Sequence, residues 1–203
     1  MQKNITKIED KRVNIAFYWI SILITILTPL LLSVGLFGNN NPIGWWHSIS
    51  ASYYCNTKYI FLTTMSIIAL LLFYLRKVQY IIAGINIFGI LSFPTYEFPL
   101  GIPEDLKVGL FKIPLKMSGN IHCLFNLALF VTIIGIVIIY IIEYKKYLDL
   151  LLLIPMAIGI TLIAIETGLH NNGDWSFHWI TIIAEWMLFQ SVGVFFYKLS
   201  KLP

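Results

Sequence analysis

Six long apolar stretches constrain the fold of this chain more than any other feature of its sequence. An α-helix rises about 1.5 Å per residue, so roughly 20 apolar residues cross a bilayer core of about 30 Å. We predict membrane-spanning helices at Val13–Phe37, Tyr59–Leu75, Val78–Tyr96, Ile121–Tyr144, Leu150–Gly168 and Phe177–Tyr197. They predict an all-α fold, a polytopic transmembrane helical bundle of about six helices in one domain, 1–203.

The composition supports this interpretation. The chain is 58% hydrophobic and 12% charged, whereas soluble domains carry about 25% charged residues. The 203 residues leave no room beside the crossings for a second soluble domain of ordinary size. The formal charge of +4 comes from scattered short clusters, which argues against a nucleic-acid partner. Membrane lipids are the expected partners.

Lysine and arginine are distributed unevenly between the two predicted sides. The N-terminal tail, the Arg76-Lys77 turn, the Lys145-Lys146 turn and the C-terminal end hold ten of them, and the opposite side holds four. The positive-inside rule therefore predicts both termini in the cytoplasm. The first apolar run is too long for a signal peptide and lacks a small-residue cleavage site, so it should remain as an anchor. Abundant lysine and isoleucine are compatible with an AT-rich bacterial genome, so the expected location is a bacterial plasma (inner) membrane.

Polar side chains recur at helical spacing near the predicted outer ends of three helices. They are Ser118, His122 and Asn126 on the fourth helix, Glu166 and His170 on the fifth, and His178, Thr181 and Glu185 on the sixth, with Asp174 one turn before His178. Residues three, four or seven apart share a helix face. All four histidines, including His47, map to the outer side. Because histidine and carboxylate bind zinc and exchange protons near neutral pH, the pattern predicts a functional outer pocket.

Glu185 is the most informative single residue of this set. It lies about eight residues inside the sixth helix, roughly 12 Å below the outer boundary. A charge at that depth costs at least about 2.5 to 3.5 kcal/mol, so we expect Glu185 to face the bundle beneath a pocket of the fourth, fifth and sixth helices. The alternative is a neutral structural carboxylic acid that is hydrogen-bonded to a neighbouring helix.

The sequence leaves the state of two cysteines open and predicts the structure of one loop. Cys55 and Cys123 both fall on the predicted outer side, where they form either a disulfide or two free thiols. The outer loop Glu97–Ser118 contains three prolines and is predicted to be irregular.

Several of these segments resemble a group of uncharacterised bacterial six-helix membrane proteins. The resembling residues are Ser48-Ile49-Ser50, Tyr53-Tyr54, Phe93-Pro94-Thr95, Ile121-His122, Glu185 and Gly193. The resemblance runs from about Gly44 to Gly193 and implies the six-helix fold without an activity.

Ser118 and His122 also resemble one element of the ceramidase-like membrane hydrolases, a Ser-x-x-x-His pair on one helix. That family holds zinc with a further Asp and a His-x-x-x-His pair, and it has seven helices. This chain departs from it with six predicted helices and with His170 and His178 eight residues apart. The similarity implies a membrane hydrolase.

The leading hypothesis is a metal-dependent hydrolase of a lipid-like ester or amide, with zinc or another divalent metal as cofactor. The hypothesis assigns His122, His170, His178 and Glu166 as metal ligands and Glu185, Asp174 and Ser118 as catalytic residues. The alternatives are a non-enzymatic pore, channel or ligand and pH sensor formed by a homo-oligomer, and a scaffold or accessory subunit. Each histidine alone could also be an ordinary interfacial residue.

Overall fold

The computed structural model describes residues 11–27, 57–94, 105–171 and 179–202, with the backbone alone at 166–171, 179, 181 and 182. Over these residues the fold is all-α. Its helices are α1 (11–27), α2 (Lys58–Tyr74), α3 (Val78–Ser92), α4 (Leu115–Tyr144), α5 (Leu153–Asn171) and α6 (Trp179–Leu199). A 3-10 helix, Tyr147–Leu152, leads into α5, and the two-residue strands β1 (Lys107–Val108) and β2 (Ile113–Pro114) pair as an antiparallel hairpin.

Two segments in the described part of the chain are long and apolar enough to cross a membrane, Leu115–Tyr144 and Tyr147–Ile165. Only 28% and 17% of their most apolar windows are buried inside the protein. The core helix of a soluble protein would be mostly buried, so these values favour an apolar surrounding. The helices α2 and α3 are apolar but shorter, with 17 and 15 residues.

Local backbone chemistry shifts two helix boundaries from their predicted positions. The helix α3 ends at Ser92, four residues before the predicted Tyr96, and Phe93 has φ −122° and ψ 86°. Pro94 explains this end, because a residue before proline is pushed out of the helical region. The helix α4 begins at Leu115 rather than Ile121, directly after Pro114. Its first turns are polar, so hydropathy alone places the start too late.

The helices α1 and α6 pack against each other in opposite directions. Three side chain to backbone hydrogen bonds join them or the residues just beyond α6: Asn14 Nδ2 to Leu202 O at 2.9 Å, Ser21 Oγ to Gly193 O at 2.7 Å and Gln190 Nε2 to Thr25 O at 3.2 Å. The residue numbers rise along α1 as they fall along α6, which defines an antiparallel pair. One buried apolar core receives side chains from all six helices.

Neighbouring helices also pack in chain order, α2 on α3, α3 on α4 and α5 on α6. Only three residues join α2 to α3 and seven join α5 to α6, and the end of α3 contacts the start of α4 through Pro94 and Ser118, so successive helices run antiparallel. The start of α2, the end of α3, the start of α4, the end of α5 and the start of α6 therefore share one end of the bundle. The Tyr147–Leu152 helix and the end of α6 lie at the other end.

Candidate functional site

Ser118 and His122, two members of the predicted outer stripe, are buried on α4 and bind the end of α3. Ser118 Oγ donates a hydrogen bond to Pro94 O at 2.8 Å. His122 Nδ1 lies 2.7 Å from Phe93 O. Both carbonyls follow the last turn of α3, where helix carbonyls lack partners within the helix. These two side chains therefore fix α4 to the end of α3.

The contact with Phe93 also determines the tautomer of His122. A carbonyl oxygen can only accept, so Nδ1 must carry a proton, and in the neutral imidazole Nε2 then carries the lone pair of the ring. Metal-binding and acid–base histidines commonly have this arrangement, with one ring nitrogen oriented by a carbonyl. In the neutral ring, Nε2 is therefore the acceptor of His122, and this atom is buried.

The β1–β2 hairpin covers the same end of α3. Leu110 N donates to Ser92 O at 3.3 Å, and the Phe93 ring stacks between Phe111 and Phe125 at centroid distances of 5.2 and 5.8 Å. Gly109 makes this close approach possible. Its φ is +72°, and a Cβ there would lie 2.5 Å from Ser92 O, so a side chain would be strained in two ways.

Glu185 is half-buried and lines a cavity of about 290 Å³ between the helices. Cys123 and Asn126 of α4 are the other polar residues of its lining. The remaining lining is apolar: Phe61, Met65, Ile90, Leu127, Leu129, Phe130, Ile160, Ile163, Ala164 and Phe189. The volume lies near the lower end of the range of about 300 to 1,000 Å³ for small-molecule sites. The cavity is thus suited to an apolar group beside a small polar cluster.

A second cavity, about 50 Å³, lies next to this one and shares part of its wall. Met65, Leu129, Phe130 and Phe189 line both cavities. The smaller cavity is lined by apolar residues alone. These four side chains therefore separate the Glu185 cavity from the centre of the bundle.

Glu185 lines the cavity, whereas Ser118 and His122 bind the end of α3 and are not among the lining residues. Glu166 and His170 lie on α5, where the backbone alone is described. Asp174, His178, His47 and Cys55 lie outside the described residues. Among the residues that the structure describes, no three His, Cys, Asp or Glu side chains are close enough to hold a metal ion. The predicted ligand set therefore remains a prediction, of which His122 is the described part.

Cys123 and Asn126 are the cavity residues that sequence reasoning did not assign a role. Asn126 belongs to the polar stripe one turn after His122, so its spacing was a usable signal. Cys123 carries a free thiol, and its presence in the lining depends on how α4 is rotated against α6. No family model, curated protein or solved structure compared with this chain matches it.

Proposed function

We propose that this chain is a multi-pass protein of a bacterial plasma membrane, with six crossings and both termini in the cytoplasm. Large apolar side chains on the outward faces of α2 and α4 support it, for example Leu70, Val131 and Ile142 at 59%, 63% and 65% exposure. Soluble monomers rarely expose contiguous apolar patches beyond a few hundred Å². Apolar side chains can face outward where lipid surrounds the protein. The uneven distribution of lysine and arginine supports the proposed orientation.

We further propose that the protein is a membrane-embedded hydrolase of a lipid-like ester or amide. The observation that carries the proposal is Glu185 in the wall of a mostly apolar cavity. An ionisable residue at this depth in a bundle is expensive and generally functional. The apolar lining suits the acyl part of a substrate, while Glu185, Asn126 and Cys123 suit its polar junction.

In this proposal Glu185 is the general base. It accepts a proton from a water molecule as the water oxygen bonds to the substrate carbonyl carbon, and it returns that proton to the alcohol or amine that leaves. The Asn126 amide offers N–H donors for the negative charge on the carbonyl oxygen. Under the proposed topology the cavity lies in the outer half of the bundle, below the starts of α4 and α6.

Metal assistance fits the donor chemistry of His122. Zinc or another divalent ion, when bound, would lower the pKa of a water molecule and so supply the nucleophile. His122 would be one ligand, and His170, His178 and Glu166 are the further ligands that the sequence predicts. Elemental analysis of protein purified without chelators tests this part. We expect about one metal per chain, reduced in His122→Ala.

The apolar lining favours this function over a pore. A water-filled path needs polar or charged groups along its wall, whereas ten of the thirteen residues that line the Glu185 cavity are apolar. A pore or pH sensor is therefore the second candidate, and it would use Glu185 without hydrolysis.

The test is hydrolysis by the purified full-length chain in lipid nanodiscs. The probes are a phospholipid and a sphingoid amide that each carry a fluorescent acyl chain, and the readout is release of the labelled fatty acid. Glu185→Gln keeps the size of the side chain and should reduce the rate at least about a hundredfold, because general-base groups contribute about 10² to 10⁴. Glu143→Gln, which changes an exposed carboxylate of α4 outside the cavity, is the matched control.

A second pair of variants tests the cavity itself. Ala164→Phe fills the space beside Glu185, and Ala157→Phe makes the same change two turns earlier on α5, outside the cavity lining. We expect loss of hydrolysis in the first variant alone. Two results together would contradict hydrolysis and favour the pore. Neither probe would release fatty acid, and liposomes would show a proton leak that Glu185→Gln removes.

A further inference from the structure

A pocket of about 690 Å³ lies at the other end of the bundle, between the end of α4, the 3-10 helix and the end of α6. Four lysines line it, Lys145, Lys146, Lys198 and Lys201. Four tyrosines share the lining, and Asp149 is the acidic residue among the described lining residues. The formal charge of the lining is therefore four minus one, or +3.

Two residues, Asp149 and Lys201, organise the floor of this pocket through their contacts. Buried Asp149 forms an ion pair with Lys198 and accepts a hydrogen bond from Tyr140 Oη at 2.9 Å. Lys201 Nζ lies over the rings of Tyr18 and Tyr197, at 5.9 and 5.1 Å from their centroids. Asp149 and the rings thus hold two of the lysines in place.

The positive charge exceeds what the nearby helix ends require. The C-termini of α4 and α6 each carry a partial charge of about −0.5, so the two ends together offset only about one of the three excess charges. The remaining positive charge is available to an anionic partner from outside the chain.

We infer that this pocket binds the anionic headgroup of a phospholipid. Basic pockets between membrane helices on the cytoplasmic side suit such headgroups, and tyrosine rings prefer the depth at which headgroups lie. Leu148 belongs to the pocket lining and is 83% exposed. An exposed leucine beside the lysines favours a ligand with an acyl chain over a free phosphate.

This inference rests on the proposed topology, which places the pocket on the cytoplasmic side, and it is independent of the proposed hydrolysis. The lysine ammonium groups would bind the phosphate of the headgroup, and Lys146 and Lys201 are exposed donors for it. Lys198 is engaged by Asp149, and Lys145 has a left-handed backbone at φ 52°. Alanine at position 198 would leave buried Asp149 without its ion pair, so Lys146 and Lys201 are the residues to change.

The test is native mass spectrometry of the purified full-length chain, titrated with phosphatidylglycerol or phosphatidylcholine of the same acyl chains. We expect wild type to prefer phosphatidylglycerol, and Lys146→Ala/Lys201→Ala to weaken its binding at least about tenfold. Lys77→Ala/Lys107→Ala removes the same charge from two exposed positions outside the pocket and should have little effect. Lys146→Arg/Lys201→Arg keeps the charge and should retain binding, which separates lost charge from lost folding.

Three results would overturn the inference. The first is equal binding of the two lipids by wild type, and the second is an equal loss in the control pair. The third concerns the source of the phosphate: displacement of phosphatidylglycerol by glycerol 3-phosphate at comparable concentration would assign the pocket to a soluble anion. Persistence of the lipid complex in excess glycerol 3-phosphate supports the lipid.

Discussion

Gly159 shows how one residue sets the distance between two helices. It is buried on α5 where that helix meets α6, and a Cβ there would lie 2.7 Å from Leu188 Cγ and 3.0 Å from Ala184 O. Leu188 is itself fully buried and Ala184 O is backbone, so neither can move away easily. In membranes, small residues allow helix backbones to approach and so supply much of the packing energy.

Gly159→Ala should therefore lower the free energy of unfolding by up to about 2 kcal/mol. Overpacking costs about 1 to 3 kcal/mol, and alanine returns about 1 kcal/mol of helix propensity. Gly135→Ala is the control, because a Cβ there meets nothing within 4 Å, and it should leave stability unchanged or raise it. Thermal unfolding in detergent, followed by the remaining monodisperse fraction, measures both. Equal stabilisation by the two changes would contradict the close packing at Gly159.

The features of the candidate site that depend on single residues could be predicted from the sequence. The depth of Glu185 in an apolar run was enough to predict that it faces the bundle, and the structure describes it as a cavity residue. Spacing likewise placed Ser118 and His122 on one face of α4. Their actual partners, Pro94 O and Phe93 O, depend on how α4 crosses the end of α3, which no local pattern specifies.

At the scale of elements, the 3-10 helix Tyr147–Leu152 connects two helices, α4 and α6, through one side chain. Asp149, in its first turn, bonds to Tyr140 of α4 and to Lys198 of α6. The turn between α4 and α5 is thereby tied to the last turn of α6. Membrane helices depend on such polar contacts because lipid supplies no hydrophobic force between them.

Tyr140→Phe should lower the free energy of unfolding by about 1.5 to 3 kcal/mol, the contribution of a hydrogen bond to a charged group. The ring stays in place, so the change reports on the hydroxyl alone. Tyr144→Phe is the matched control, because Tyr144 is an exposed neighbour on the same helix whose ring packs against Tyr140, and it should stay within about 0.5 kcal/mol of wild type. Chemical unfolding in mixed micelles compares the two, and indistinguishable midpoints would refute the link.

The helical segments could be predicted from the sequence, whereas the residues at which helices begin and end were predicted less well. Long apolar runs indicated the helical segments, because the pattern is strong over many residues. The hairpin Lys107–Pro114 was not predicted, since three prolines in the loop favoured irregular structure. Its two strands are only two residues each, and Gly109 and the contacts with Ser92 and Phe93 hold the hairpin against α3. Tertiary contacts of this kind produce no periodic pattern in the sequence.

At the scale of the whole molecule, the two ends of the bundle differ in chemistry. One end contains the Glu185 cavity, and the other contains the lysine and tyrosine pocket. The proposed topology assigns the first to the outside and the second to the cytoplasm. The assignment rests on ten basic residues against four.

Reporter fusions test that assignment directly. Alkaline phosphatase and green fluorescent protein fused at Lys77, Lys146 or the C-terminus should report the cytoplasm. Fusions near Asn40, Lys107 or Asn172 should report the outside. The reason is the cost of moving clustered lysines across the membrane, which orients the helices. A clear reversal at any one position would invert the side assigned to the cavity.

The pairing of α1 with α6 also has a consequence for biosynthesis. Their hydrogen bonds join residues 165 to 188 positions apart, so under the proposed topology α1 would enter the bilayer long before its partner is translated. Until then the Ser21 hydroxyl lacks the Gly193 carbonyl that it bonds in the finished fold. We therefore expect the nascent chain to remain with the insertion machinery, and the bundle to close only after the ribosome has delivered α6.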